Sequence, residues 1–412
     1  MKVLFVLPQI PFPPHSGGRI VTWNTVKRFA AECSVRVACL YHHPSELPAL
    51  VEVKKYVEEV AAFPAHGKWD KRPLARSLVS AWPYKAHRFW NPYLAGYLRR
   101  WQTRDPVDVI HAQNFYTTPY VTGREPCLKI HYKENVEGNL LLRYGQRAEG
   151  PLVRMAARLE GLRTRRFELE ACRKFDRVLT ISPLDRDFLL SQDPTLPVTH
   201  QRPGVDLEAY PLLNLPPNPP AVLFSGTMSY YPNAIGIGWF LQAIWPLVRQ
   251  QAGNAECWIV GADPPSSIRA WDGREGVHVT GRVERIAEYL WRAWIYIVPL
   301  TLGGGIRLKI LEAMASGRPI VSTSIGCEGL DVEAGKHLRV EDDPAGFARS
   351  VVDLLRNPWK WEHLSANARA LVEDRYDWDK IIPRQVEMYR SLRKEFLPPR
   401  PAGAGLVRPE LE

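Results

Sequence analysis

IYIVPLTLGGGIRLKILEAMASGRPIVSTS, residues 295–324, reads as a strand, a glycine turn, a helix and a second strand. The run IYIVPL has the β-branched composition of a buried strand, IRLKILEAMAS that of a helix, and PIVSTS returns to strand composition. A strand joined to the next by a helix makes parallel neighbours, and a parallel sheet is covered by helices on both faces.

The same alternation extends outward in both directions. AVLFSGTM, ECWIVGAD and VHVTGRV precede the unit from residue 221 onward, and KVLFVLP, VRVACLY, VDVIHAQ, CLKIHYK and RVLTISP carry the pattern through the first half. A chain of 412 residues exceeds one comfortable domain. The expectation is an α/β protein of two doubly wound, Rossmann-like domains facing across a cleft. Residues 1–203 are expected to form the first domain, 204–385 the second, and 386–412 a returning helix plus tail. The proline-rich RPGVDLEAYPLLNLPPNPPA, residues 202–221, reads as the connection, and the amphipathic 379–396 as a closing helix. The tail 397–412 reads as disordered.

Composition limits the compartment and the partners. The six cysteines are scattered without a C-x-x-C pair or a metal-like grouping, which fits a reducing cytosol. The opening MKVLFVLPQIPFPP is too short an apolar run for a signal peptide, and no stretch approaches the roughly 18 apolar residues of a membrane span. A cytoplasmic protein is expected, soluble or held at the inner face of the plasma membrane. The net charge of +10 suggests an anionic partner. Between Lys68 and Arg104, nine cations meet one acid, Asp70, with Trp69, Trp82, Tyr84, Phe89, Trp90, Tyr93, Tyr97 and Trp101 among them. That mixture suits an anionic membrane surface, with an ordinary basic surface as the plainer alternative, and nucleic acid is not expected as a partner. A second basic stretch, Arg143 to Arg177, is diluted by glutamates and reads either as functional or as a solvated helix with charge pairs.

Open α/β sheets bind ligands beyond the carboxyl ends of their strands, where the glycine turn lies. Glycines let the backbone approach a ligand, and free N–H groups at a helix start attract anions. Arg307 and Lys309 can add charge to a diphosphate, while Glu312 offers two oxygens suited to paired sugar hydroxyls. Together these features suit a nucleotide; the plainer alternative is a glycine-rich turn with a surface glutamate. The stretch is neither a Walker A pattern nor G-x-G-x-x-G.

GGGIRLKILEAMASGRPIVSTSIGCEGL resembles the nucleotide-sugar signature of the retaining glycosyltransferases of family 4, also called group 1, which have the GT-B fold. PFPPHSGG, RPGVDLEAY, VTGRVERIAEYLWRA and YDWDKI match further pieces in order, so the resemblance covers nearly the whole chain. By that resemblance Glu312 matches the second glutamate of the family's paired-glutamate motif, and glycine stands at Gly304 in place of the first. Backbone groups at Gly304, Gly305 and Ile306, with Lys309, are then expected to take over donor contacts in a variant subgroup. Gly226 ends the strand where many members follow with an arginine and a lysine; Thr227, Met228 and Asn233 stand there instead, leaving Arg307, Lys309 or Arg282 to supply charge. Arg282 reads equally as a surface residue.

In the first domain, Gly17 and Gly18 match the family's flexible glycine loop, and His131 lies where a histidine often faces the transferred sugar. The family's histidine–asparagine–x–glutamate pattern appears as ENVE, so that Glu134, Asn135 and Glu137 compete for its role, with Asn135 and Glu137 kept as acceptor-side candidates beside His15. His111 is a further strand-end candidate. His131, Arg307 and Lys309 form the expected catalytic set. The resemblance implies same-face displacement at a nucleotide-diphosphate sugar, with no tightly bound cofactor and no essential divalent metal, since no D-x-D motif sits at a strand end. The acceptor is expected to be lipid-linked, a polysaccharide or another glycan, in cell-envelope or exopolysaccharide assembly. A soluble small-molecule acceptor, or a catalytically silent nucleotide-sugar-binding protein, is the alternative.

Overall fold

The computed structural model describes residues 1–67, 70–212 and 219–396. Within it the alternating pattern becomes two parallel sheets. The first holds β1 (Lys2–Leu7), β2 (Ser34–Tyr41), β3 (Glu59–Pro64), β4 (Val109–Gln113), β5 (Leu128–Lys133), β6 (Arg177–Thr180) and β7 (Val198–His200) in the order 3-2-1-4-5-6-7. The second holds β8 (Ala221–Ser225), β9 (Glu256–Val260), β10 (Val277–Gly281), β11 (Ile295–Val298), β12 (Ile320–Ser322) and β13 (Arg339–Val340) in the order 10-9-8-11-12-13. All ladders of both sheets are parallel. The strand order reverses once in each sheet, between β1 and β4 and between β8 and β11, and such switch points open a crevice at the strands' carboxyl ends.

Both faces of each sheet are covered, so the central strands are buried throughout rather than on alternate residues. On one face of the first sheet Phe5 meets Phe29 edge to face; on the other, Leu4, Leu40 and Cys172 share a separate cluster. The second sheet packs Phe224, Phe240, Trp245 and Phe347 beneath it.

The chain crosses between lobes twice, side by side. On the way out, Val205 donates its N–H to Tyr376 O at 2.7 Å, and on the way back Trp378 N–H reaches Val205 O at 3.4 Å. A Cβ at Gly204 would lie 2.5 Å from the indole of Trp378, so glycine is what lets the two crossings touch. From there one continuous helix, Trp378–Phe396, runs back over the first lobe and packs on the first helix, Gly17–Glu32. The expected division at 385/386 therefore falls inside a helix; the crossover begins at Trp378. The tail 397–412 lies outside the described residues.

The second basic stretch is a helical hairpin, Glu137–Arg147 followed by Pro151–Cys172. Its helices approach closely because small residues face each other: a Cβ on Gly138 would lie 2.7 Å from Arg165 N, and one on Gly145 would lie 3.1 Å from Ala157. At its base Lys133 Nζ and Glu168 Oε1 form a fully buried pair at 2.6 Å. Glu168 also accepts the N–H groups of Glu137 and Gly138, satisfying donors that the helix start leaves open.

The stretch 68–104 corrects the expectation of an aromatic surface. Lys68 and Trp69 lie outside the described residues. Of the remaining rings only Tyr93 is exposed: Phe89 stacks on Tyr116, Trp90 on Tyr120, and Trp82 packs against Trp90 and Phe167. These rings serve to hold short helices to the lobe. No described helix is long and apolar enough to cross a membrane.

Candidate active site

The glycine turn leaves β11 at the switch point of the second sheet and starts the helix Leu308–Ala315. Its three glycines are required for two different reasons. Gly303 and Gly305 have positive φ, 141° and 71°, where side chains are strained. Gly304 has ordinary backbone, but a Cβ there would collide with Leu140 Cδ2 of the hairpin's inner helix. Leucine from the first lobe thus faces the position where the first glutamate was expected, and Arg143 Nη1 from the same helix donates to Gly303 O at 2.9 Å.

Arg307 is 93% buried, its Nη1 donating to Gly305 O. Its Nη2 is buried without a hydrogen-bond partner, an uncompensated donor beside Gly303 and Tyr230. Lys309 Nζ donates to Ser225 O at 2.6 Å and Asn233 Oδ1 at 3.1 Å, at the end of β8. Burial and then the Arg307 charge lower its pKa to about 7. Gly226 makes room for it, since a Cβ there would lie 2.6 Å from Nζ. Glu312, in the second turn of the helix, has its pKa raised by burial and accepts from the Tyr210 hydroxyl. Tyr210 ends RPGVDLEAY, so the linker motif meets the signature at the carboxylate. Ile306 packs toward Gly329.

On the opposite wall, Gly17 and Gly18 form the first turn of the helix Gly17–Glu32 rather than a free loop. The turn faces Leu308 on one side and Glu134 on the other, where a Cβ at Gly18 would lie 2.7 Å from Glu134 Oε2. Glu134 Oε1 accepts from Gln113 Nε2 at 2.8 Å, and burial raises its pKa. Asn135 Oδ1 is buried without a hydrogen-bond partner and points at Gly305. The two walls therefore meet at Gly17–Leu308, Asn135–Gly305 and Leu140–Gly304.

The structure buries two of the three candidate histidines, His131 and His111, and leaves His15 exposed. His131 lies inside β5, fully buried against Phe175 on the face away from the closing helix, its Nδ1 at 3.2 Å from Ala112 O. The strand continues two residues further, so the first residue beyond it is Glu134. Burial lowers the His131 pKa well below its ordinary value. His111 ties β4 to the closing helix through Tyr389 OH at 2.8 Å and is held neutral, its pKa lowered by burial to about 4. His15 is exposed at the cleft rim, its pKa lowered by partial burial and then by Arg282 and Arg19, so the exposed Arg282 lies across the cleft from it. Glu137 is also corrected: its carboxylate is committed to Lys85 Nζ at 2.7 Å and Tyr116 OH at 2.8 Å, within the first lobe.

Glu134, Leu140, Arg143 and Tyr210 are the cleft residues absent from the expected set. Glu134 had a signal in ENVE; the others reach the site only through tertiary packing. Among the described residues no cluster of three or more metal-ligating side chains forms. A cavity of about 500 Å³ lies outside the cleft, on the first lobe, bounded by Trp82, Phe167, Arg124 and Lys174 among others.

Residues 219–357 match the family model described as "Glycosyl transferases group 1". The chain is 28% identical over 248 residues to the phosphatidyl-myo-inositol mannosyltransferase of Propionibacterium freudenreichii, covering 54% of this chain and 61% of that protein. It spans about half the length of the curated relatives it matches. Sucrose-phosphate synthase of Thermosynechococcus elongatus superposes over 96% of this chain and 100% of its own, with a TM-score of 0.70 at 16% identity. Anabaena HepE in complex with UDP-glucose superposes over 95% and 100%, with a TM-score of 0.65 at 14% identity. The fold is GT-B: two parallel-sheet α/β domains. The family match and the named relatives support a group 1 glycosyltransferase.

Proposed function

We propose that this chain is a retaining glycosyltransferase that moves a sugar from a nucleotide-diphosphate donor to a hydroxyl of a lipid-linked or polysaccharide acceptor. The observation that carries the reading is the set gathered at the glycine turn: the unpartnered Nη2 of Arg307, the ammonium of Lys309, and the Glu312 carboxylate deeper along the same helix. The spacing fits a diphosphate at the turn and a ribose at the glutamate. A donor of this class is bound by HepE, and a lipid acceptor is named in the mannosyltransferase relative.

In this reading Arg307 and Lys309 take up the charge that develops on the leaving diphosphate, and the first turn at Gly17 and Gly18 adds N–H groups from the other wall. The acceptor hydroxyl attacks from the face the diphosphate vacates. Glu134 and Asn135 orient that hydroxyl, Glu134 from a buried position that raises its pKa. No divalent metal is assigned a step, and the work is positioning, charge stabilisation and exclusion of water as the walls close. The protein works at the cytoplasmic face of the membrane.

A thermal-shift and hydrolysis screen against nucleoside diphosphates and nucleotide sugars tests this. Stabilisation by one nucleotide family and slow donor cleavage are expected; no stabilisation by any of them overturns the reading. A catalytically silent nucleotide-sugar-binding protein is the second reading, favoured by Leu140 covering Gly304. It requires donor binding with no cleavage or transfer, even in a Leu140→Ala variant.

A further inference from the structure

The hairpin's outer helix, Pro151–Cys172, carries a second face that the cleft does not use. Leu152, Met155, Leu159 and Leu162 recur at spacings of three and four and so share one side of the helix. They are solvent-exposed, Leu152 at 74% and Leu159 at 62%, while Ala157, Gly161, Thr164 and Glu168 form the buried side. Arg163 of this helix donates to the carbonyls of Ser77, Ser80 and Trp82, the last at 2.6 Å, pinning the end of the helix Arg72–Leu78 beside it. That end adds Leu74, Leu78 and Val79, the last two exposed at 78% and 88%.

Seven exposed aliphatic side chains on two adjoining elements form more apolar surface than scattered surface residues explain. Cations fringe them: Lys71, Arg72 and Arg76 on one element, Arg154 and Arg158 on the other. Two nearby acids are engaged, Asp70 with Arg72 and His66, and Glu160 with the Tyr84 N–H and Arg163, while Glu149 is exposed at the start of the helix. An apolar face bordered by an excess of positive charge complements an anionic lipid leaflet, where side chains enter the acyl boundary and cations meet phosphates.

We propose that this face, Leu152–Leu162 together with Leu74, Leu78 and Val79, docks the protein on an anionic lipid leaflet. The proposal deepens the transfer reading, on which its meaning for the acceptor rests. The inner helix of the same hairpin places Leu140 over Gly304 and Arg143 on Gly303, so the docking face and the donor turn lie on opposite sides of one two-helix element. A leaflet bound there brings a lipid-linked acceptor to the cleft. The docking residues are aliphatic, in contrast with the ring-rich surface that composition suggested.

The test is co-sedimentation of the full chain with phosphatidylglycerol vesicles and with phosphatidylcholine vesicles, at low and high salt. The parent is expected to prefer the anionic vesicles and to lose part of that preference in salt. Met155→Glu/Leu159→Glu and Leu78→Glu/Val79→Glu are expected to weaken partitioning by about tenfold or more, with melting temperature unchanged because all four positions are exposed. Partitioning equal to the parent's overturns the proposal. So does light scattering that finds a dimer which the substitutions dissociate, in a parent that ignores vesicles, since the face then belongs to a second copy. A parallel thermal shift with nucleoside diphosphates separates the two readings: its failure removes the transfer reading and leaves the vesicle result standing.

Discussion

The two walls of the cleft are built by different logic. The donor wall is local: Gly303, Gly305, Arg307, Lys309 and Glu312 lie within ten residues, fixed by one turn and one helix. The opposing wall is assembled from Gly17 and Gly18 at a helix start, Glu134 and Asn135 beyond β5, and Leu140 and Arg143 on a hairpin held by the buried Lys133–Glu168 pair. A wall carried by one segment transmits its chemistry through few residues, whereas an assembled wall depends on interior groups that never touch a ligand.

The largest effect is expected where the assembled wall is held. Lys133→Met leaves Glu168 charged, buried and short of a partner, which should cost about 3–5 kcal/mol of stability by denaturant unfolding. A loss below the typical range for a surface substitution would mean the hairpin is not anchored there. On the local wall, Arg307→Ala should leave the melting temperature near the parent's and lower donor turnover about 10²–10³-fold, the scale for removing a charge-stabilising donor. Equal turnover would place the diphosphate elsewhere. Glu312→Gln keeps the shape and should weaken donor binding by about 1–3 kcal/mol in calorimetry; Tyr210→Phe reports whether the linker shares that contact.

The smallest effect is in pH. The pKa of Lys309 is lowered to about 7, so the free protein carries its ammonium below that value and loses it above. Donor affinity should fall as pH rises from 6 to 8, and Lys309→Arg should flatten the trend. The same shift has a stability sign: the unfolded chain holds that proton to higher pH, so Lys309's unfavourable contribution to folding fades as pH rises above 7. A parent profile that is flat in both readouts would detach Lys309 from the titration.

What the sequence revealed follows the same division. The quoted strand runs all fall on strands, and the glycine turn joins β11 to a helix as read, because both signals are local. The strands that went unread are β3, β7 and β13, at or near sheet edges; β7 and β13 have three and two residues, too few to show a pattern. His131 misled for a geometric reason. In a strand buried on both faces, composition does not mark where the strand ends, and two more residues, Tyr132 and Lys133, put the histidine in the interior and Glu134 at the cleft. The rings of 68–104 misled because stacking partners such as Tyr116 and Tyr120 arrive from another segment. Leu140 is a property of the fold alone: nothing near Gly304 in sequence announces which side chain will face it.

The adjacent crossings at Gly204 and Trp378 restrict how the halves can move. Two bodies joined by neighbouring strands of backbone, bridged at Val205 and Tyr376, are tied together at one seam. A bulkier residue at 204 would wedge against the indole and force the two crossings apart. Any opening that admits a ligand and any closing that encloses it must therefore be accommodated around that seam.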